Sequence, residues 1–378
     1  MRHVLRWLLL PLLLIGALFS ATAQDIDQVI YFVAPAAPTN AAAQNFLTRL
    51  AAEFQALDVS IFVVDELPDA LAQTAAAQAH PVIQLLVVQE TDTSRLALNL
   101  DVISGGSLPA SPIVKLSFDG PVHALPAFDA TDEAASQQAL NHLVGVGMAL
   151  LGDCPAAEAR LNQSAQVFAT MDAALAAEFY MGACRLRADD KPGASRHFER
   201  VIAAAPSLSR APHAAINLAW INVQLGQPEA ATKLMDALVA ASAPDQPDYS
   251  IDRHIKALVA RSQVRALMSQ FDLALADMDA AIALRPNDSA LYVERAQRMT
   301  LQSEWDQVLA DYNRALEIDP TYAPAYFGRG LLYYSQGPLE NALADFKAYI
   351  ELAPFGEHAA EARSHIEAIE AELQEREG

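Results

Sequence analysis

Between Ile255 and Pro354 the apolar and polar positions fall into one pattern that is written three times. Arg285-Pro286, Asp319-Pro320 and Ala353-Pro354 set the beat, with their prolines 34 residues apart. At the same interval stand Arg261, Arg295 and Arg329; Ala274, Val308 and Ala342; Asp277, Asp311 and Asp345; and Met278, Tyr312 and Phe346. Self-similarity of this period marks a solenoid of stacked units. In the last copy, Tyr326, Gly330 and Tyr333 recur at helical spacing over 325–336. Gly337-Pro338 breaks that helix. Leu339, Ala342, Leu343, Phe346 and Ile350 then line one face of a second helix, which Pro354 ends. Gly330 and Ala342 are small where the two helices cross, and Phe346 and Tyr326 fill the gaps on either side. One such hairpin leaves a face uncovered, so neighbours must stack.

The segment AYFGRGLLYYSQGPLENALADFKAYIELAP (325–354) resembles the tetratricopeptide repeat in its aromatic start, small-residue pair, Ala, aromatic and Pro. The resemblance implies a right-handed superhelix that binds a polypeptide. Six copies are expected over 138–356, at 138–171, 175–208, 212–250, 255–288, 289–322 and 323–356, the first three irregular. A polar insertion, 243–251, lengthens the loop before the regular copies. A polar segment, 357–378, reads as the helix that covers the last apolar face. The first helices should line the concave face, with His142, Phe179, Arg187, Trp220, Gln224, Val259, Gln263, Val293, Gln297, Phe327, Leu331 and Tyr334 turned into it. Some proteins of the family grip an acidic C-terminus with Lys and Asn there. The matching places here hold Val, Phe, Ile and Gln, so that clamp is unsupported. What remains is an apolar and aromatic trough suited to an extended or helical peptide. The competing reading is that Phe179, Trp220 and Phe327 pack between neighbouring helices. The repeated Arg and Asp recur too regularly for partner recognition and are expected to tie each helix pair to the next.

Ahead of the repeats the period changes. Strands are expected at 29–33, 59–64, 82–88, 95–103 and 113–118, and helices at 40–57 and 68–80. Near-continuous apolar strands alternating with helices give a small α/β domain over 24–120, with a hairpin-like or meander edge around Ser104-Gly105-Gly106-Ser107. The overall class is α+β, an α/β domain followed by an all-α solenoid, joined by an aperiodic linker at 121–137. The order of elements, through NFLTRLAAEFQAL, DVSIFVVDELPDAL and VIQLLVVQ, is similar to small bacterial envelope domains of the TolB N-terminal and curli-secretion types. Asp65-Glu66 and Asp101 fall where α/β domains often bind ligands.

Arg2, His3 and Arg6 precede an apolar run, Trp7–Phe19, that ends in Ser20-Ala21-Thr22-Ala23. That is the form of a secretory signal over 1–23, so export is expected, with no stable membrane insertion after cleavage. The net charge is −21, which argues against nucleic acid as a partner. Cys154 and Cys184 are the only cysteines. In an oxidising compartment they are candidates for a bridge worth about 3–4 kcal/mol, the alternative being two small buried thiols. The chain has no G-x-x-x-x-G-K-[ST], H-E-x-x-H, G-x-S-x-G or C-x-x-C, and His358 and His365 lack the companions of a metal site. The expectation is an exported, non-enzymatic scaffold without cofactor or metal that binds a protein or peptide. Self-association through an uncapped face stays open. So does the alternative of a small-molecule sensor or enzyme in the α/β domain, positioned by the repeats.

Overall fold

A computed structural model describes residues 29–33, 40–56, 60–64, 81–89, 94–105, 123–124, 127–164, 171–205, 211–300, 305–336, 338–354, 356 and 358–377. The expected helix at 68–80, the strand at 113–118, the signal segment and Asp65-Glu66 lie outside them.

The N-terminal unit is built on strands β1 (Val29–Val33), β2 (Ser60–Val64), β3 (Pro81–Gln89) and β4 (Arg95–Gly105). They lie in the order β2-β1-β3-β4. β1 pairs in parallel with both β2 and β3, while β3 and β4 are antiparallel. Parallel neighbours need a crossover. Helix α1 (Ala41–Gln55) lies between β1 and β2 in the chain. Asn40 caps it through Oδ1, which accepts from the Ala42 N–H at 2.8 Å. Its stripe of Ala43, Phe46, Leu50 and Phe54 is buried.

Two expectations need correcting. β4 runs on through Ser104 and Gly105, where the sequence suggested a turn, with Pro81 pairing opposite Gly105. The stretch read as a linker carries β5 (His123–Ala124) and β6 (Phe128–Asp129), both paired to β4. Helix α2 (Glu133–Leu151) starts inside that stretch as well, capped by Asp132. Two-residue ladders are too short to leave any periodicity, which is why the sequence hid them.

The array continues as α3 (Cys154–Ser164), α4 (Met171–Arg187), α5 (Lys191–Ala204), α6 (Pro212–Gln224), α7 (Pro228–Ala241), α8 (Ile251–Leu267) and α9 (Phe271–Leu284). It ends with α10 (Ser289–Thr300), α11 (Trp305–Ile318), α12 (Ala323–Gln336), α13 (Leu339–Leu352) and α14 (Ala359–Glu377). From α2 to α13 consecutive helices pack as six pairs, and α14 packs on α13. Ala359, Ala362 and Ile369 of α14 are buried with Phe346 and Tyr349.

One contact recurs within each pair. A small residue of the first helix faces a large one sixteen positions later on the second. A Cβ on Gly145 would stand 2.8 Å from Leu161 Cγ, on Gly182 2.7 Å from Phe198 Cε1, and on Gly330 3.0 Å from Phe346 Cε1. Ala219, Ser262 and Ala296 hold the same place opposite Met235, Met278 and Tyr312, and all six are buried. Seven residues past the small residue, Gly152, Asp189, Gly226 and Ser269 adopt positive φ between 57° and 90°. At each of these turns the next N–H reaches back to a first-helix carbonyl, as from Asp190 to Arg185 and from Gln270 to Arg265.

The last three pairs carry a second device. Asp277, Asp311 and Asp345 are 3–5% exposed, and Arg261, Arg295 and Arg329 grip them in fork geometry. The remaining guanidinium nitrogen of each Arg reaches the preceding pair: Asp236 at 2.9 Å, Asp279 at 2.7 Å and Asn313 at 2.7 Å. The Arg therefore joins its own two helices as well as one pair to the next. Hydrogen bonding to Asp311 and to Asp345 raises the pKa of Arg295 and of Arg329, so both stay charged.

Gly182→Val should lower the unfolding free energy by about 2 kcal/mol, because Phe198 is fully enclosed and cannot retreat. Urea denaturation measures this. Arg295→Met, which leaves buried Asp311 without its fork, should cost about 3 kcal/mol. Arg295→Met with Asp311→Leu should cost clearly less. A double-variant loss equal to the sum of the Arg295→Met and Asp311→Leu losses would show that the pair is not coupled.

Candidate functional site

The face expected to be functional is the stripe of the first helices that lies beside the small crossing residue. Each first helix contributes residues three before, one after and four after that residue. One place after it stand Val146, Ala183, Trp220, Gln263, Gln297 and Leu331. The first three are 0–8% exposed. Gln263 and Leu331 are half-buried, and Gln297 is exposed. Four places after it, Ala149 and Leu186 are buried, Val223 and Ala266 half-buried, and Thr300 and Tyr334 exposed. At these two positions the stripe is thus closed over the first two repeats and accessible over the last three, while three places before the crossing residue Val293 and Phe327 stay buried.

The N-terminal unit lies against the first helices of the first two pairs. α1, β3 and β6 pack on α2, and β5 packs on α4. Gly147 of α2 has no room for a side chain because the Phe54 ring of α1 lies against it. Phe46 meets Phe128 of β6 edge to face, with centroids 5.2 Å apart. At the rim, Arg49 reaches Glu133 at 2.8 Å and Gln137 at 2.6 Å, and Arg160 reaches Glu53 at 2.7 Å and Asn141 at 2.8 Å.

The twelve expected groove residues therefore divide. His142 and Phe179 are 2% and 0% exposed, and Phe179 packs on Tyr180 and Phe198. Both serve the core, which corrects their placement in an open trough. Trp220 and Val293 are also buried. So is Phe327, whose ring stacks on His358 at 4.2 Å and contacts Phe346 and Tyr349. Arg187 is half-buried at the closed end, where desolvation pushes its pKa down to about 10, still a cation at neutral pH. Gln224 is exposed at the end of α6. Val259, Gln263, Gln297, Leu331 and Tyr334 remain accessible across α8, α10 and α12. The sequence reading missed Thr300 and Leu267, which sit on the same helices near their C-terminal ends and are exposed. Extending the helical spacing by one turn would have found them.

Chemically this open stretch is apolar and amide. Gln263 and Gln297 occupy one repeat position on neighbouring helices, so their amides can donate to and accept from a backbone laid across them. The Arg and Asp residues of the same repeats are turned to one another inside the array, which leaves the stripe uncharged.

Three other candidates resolve otherwise. Asp101 pairs opposite Gln84, in the middle of β3, so it does not stand at the carboxyl end of the parallel strands. His358 and His365 stack on Phe327 and Phe346, docking α14, and among the described residues no group of His, Cys, Asp and Glu is placed to hold a metal ion. Cys154 at the start of α3 is bonded to Cys184 of α4, with Cα atoms 5.7 Å apart. Both are at most 4% exposed. No helix among the described residues is long and apolar enough to cross a membrane.

The family model for the tetratricopeptide repeat matches residues 296–368. No curated protein matches the chain. Among solved structures, a tetratricopeptide repeat protein from Parabacteroides merdae is similar at 15% identity and TM-score 0.44, over 61% of this chain and 84% of that one. A thermophilic protein of the same class from Thermus thermophilus is similar at 21% identity and TM-score 0.38, over 51% and 96%. YrrB, described as having an unusual peptide-binding site, is similar at 16% identity and TM-score 0.32, over 50% and 91%. Residues 296–368 match the tetratricopeptide repeat, and the paired helices from α2 to α13 have the fold of such a solenoid.

Reduction of the Cys154–Cys184 bridge, or Cys184→Ala, should lower stability by about 3–4 kcal/mol on chain-entropy grounds. Denaturant midpoints with and without reductant measure it. An unchanged midpoint would mean that the buried bridge constrains nothing in the unfolded chain.

Proposed function

We propose that this chain is an exported scaffold, without catalysis of its own, that holds a polypeptide segment on the open concave stripe of its last three repeats. The observation that carries the reading is the change in exposure at one equivalent position, buried at Val146, Ala183 and Trp220 and accessible at Gln263, Gln297 and Leu331. Helices packed about 9 Å apart give three first helices a width of about 25 Å, enough for roughly seven residues of extended chain. The occupant fitting an uncharged apolar-and-amide surface is a neutral extended segment with apolar side chains, its backbone bonded to Gln263 and Gln297. A basic start, apolar run and small-residue end in residues 1–23 support export, and a disulfide fits an oxidising compartment.

Photo-crosslinking side chains placed at Gln297 and Leu331 should capture a polypeptide in the native cell, while one at Asn341, exposed on α13, should not. Leu331→Arg should reduce capture from the Gln297 site at least tenfold with an unchanged melting temperature. Equal capture from Asn341, or full capture in Leu331→Arg, would sink the assignment. Mass measurement of the protein as isolated tests export separately, with Gln24 expected as its first residue.

A further inference from the structure

The closed half of the concave face needs an explanation, because a solenoid has no structural requirement to fill its own hollow. We infer that the N-terminal α/β unit is a resident ligand of the first two repeats, seated where a partner would otherwise lie and folded with them as one body. Three independent features support this. First, all residues from Ala139 to Leu150 of α2 are buried, so the helix is enclosed on every side. By contrast α10 and α12, in the later pairs, keep exposed residues at Gln297 and Tyr334, while α6 of the third pair is buried over the shorter run from Ala214 to Ile221.

Second, the seat is shaped for its occupant. Gly147 lies two residues beyond the crossing residue Gly145, and its missing side chain is taken up by Phe54, from more than ninety positions earlier. Rim charges pair across the boundary, Arg49 with Glu133 and Arg160 with Glu53. Third, the apolar core does not stop at the boundary. One cluster runs from Ala43 and Phe46 through Leu96 and Phe128 to the helices as far as Val264, whereas the later repeats hold three smaller clusters. An apolar interface continuous with a core behaves as an obligate one. The first two repeats are thereby withdrawn from the partner site, and the sheet serves as an internal stop at one end of the groove.

The test uses the full chain with a specific protease site inserted between Gly106 and Ser111. The cut separates α1 and β1–β4 from the helical array, and the Cys154–Cys184 bridge lies wholly on one side of it. After cleavage the two pieces should co-migrate on gel filtration as a one-to-one species that melts in a single transition. Phe54→Asp and, separately, Gly147→Leu should let them separate. The freed helical piece should then keep its helical circular dichroism and bind several-fold more bis-ANS. Separation of the unsubstituted pieces, or release without any gain in bis-ANS binding, would overturn the inference. Because no partner is needed, its failure leaves the proposed binding at Gln297 and Leu331 standing, and the reverse also holds.

Discussion

Each helix pair is held at one spacing by a small side chain that lets the backbones approach and a large one that closes the space beside it. Phe198 and Phe346 are wholly enclosed against Gly182 and Gly330, and burial of a side chain of that size contributes about 2–3 kcal/mol. The sixteen-residue offset sets the length of the hairpin, and the turn follows from it. The left-handed residue falls at a constant distance from the crossing, even where it is Asp189 or Ser269 and carries some strain. Stacking direction and groove position both derive from this crossing, since neighbouring stripes align only if every pair closes alike.

The array joins two halves with different chemistry. Through the third pair, Val144, Met181 and Leu218 occupy the place that Arg261, Arg295 and Arg329 take later, and the core is apolar and bridged by a disulfide. In the last three pairs a guanidinium and a buried carboxylate replace those contacts. Broken singly, such a pair is costly, although an apolar pair of equal volume is often as stable. The visible consequence is geometric: each Arg contacts three helices at once and fixes the rotation of one pair on the next. Since these charges neutralise one another internally, the groove beside them presents only apolar and amide groups.

Much of this was legible beforehand. The period of the prolines located the last three repeats, and Gly330 marked a helix crossing, because a packing requirement repeated in space is repeated in the chain. The stacked His358 and His365 were placed on the capping helix, although their aromatic partners were not foreseen. The groove was read less well. His142 and Phe179 share the register of Val293 and Phe327, and all four are buried, whereas Gln297 and Leu331 share that of buried Val146 and Ala183. Register alone cannot tell which of these positions meets water.

The sequence by itself determined the local repeating unit: where each helix starts and ends, which face is apolar and which residues are small. Those properties depend on neighbours within about forty residues, and periodicity records them. Only the tertiary structure decided which half of the hollow is open. That rests on single, unrepeated contacts between distant segments, such as Phe54 on Gly147 and Phe128 on Phe46. A contact made once leaves no period in a chain, and the two short strands on β4 that bring it about are below the length at which alternation can be read.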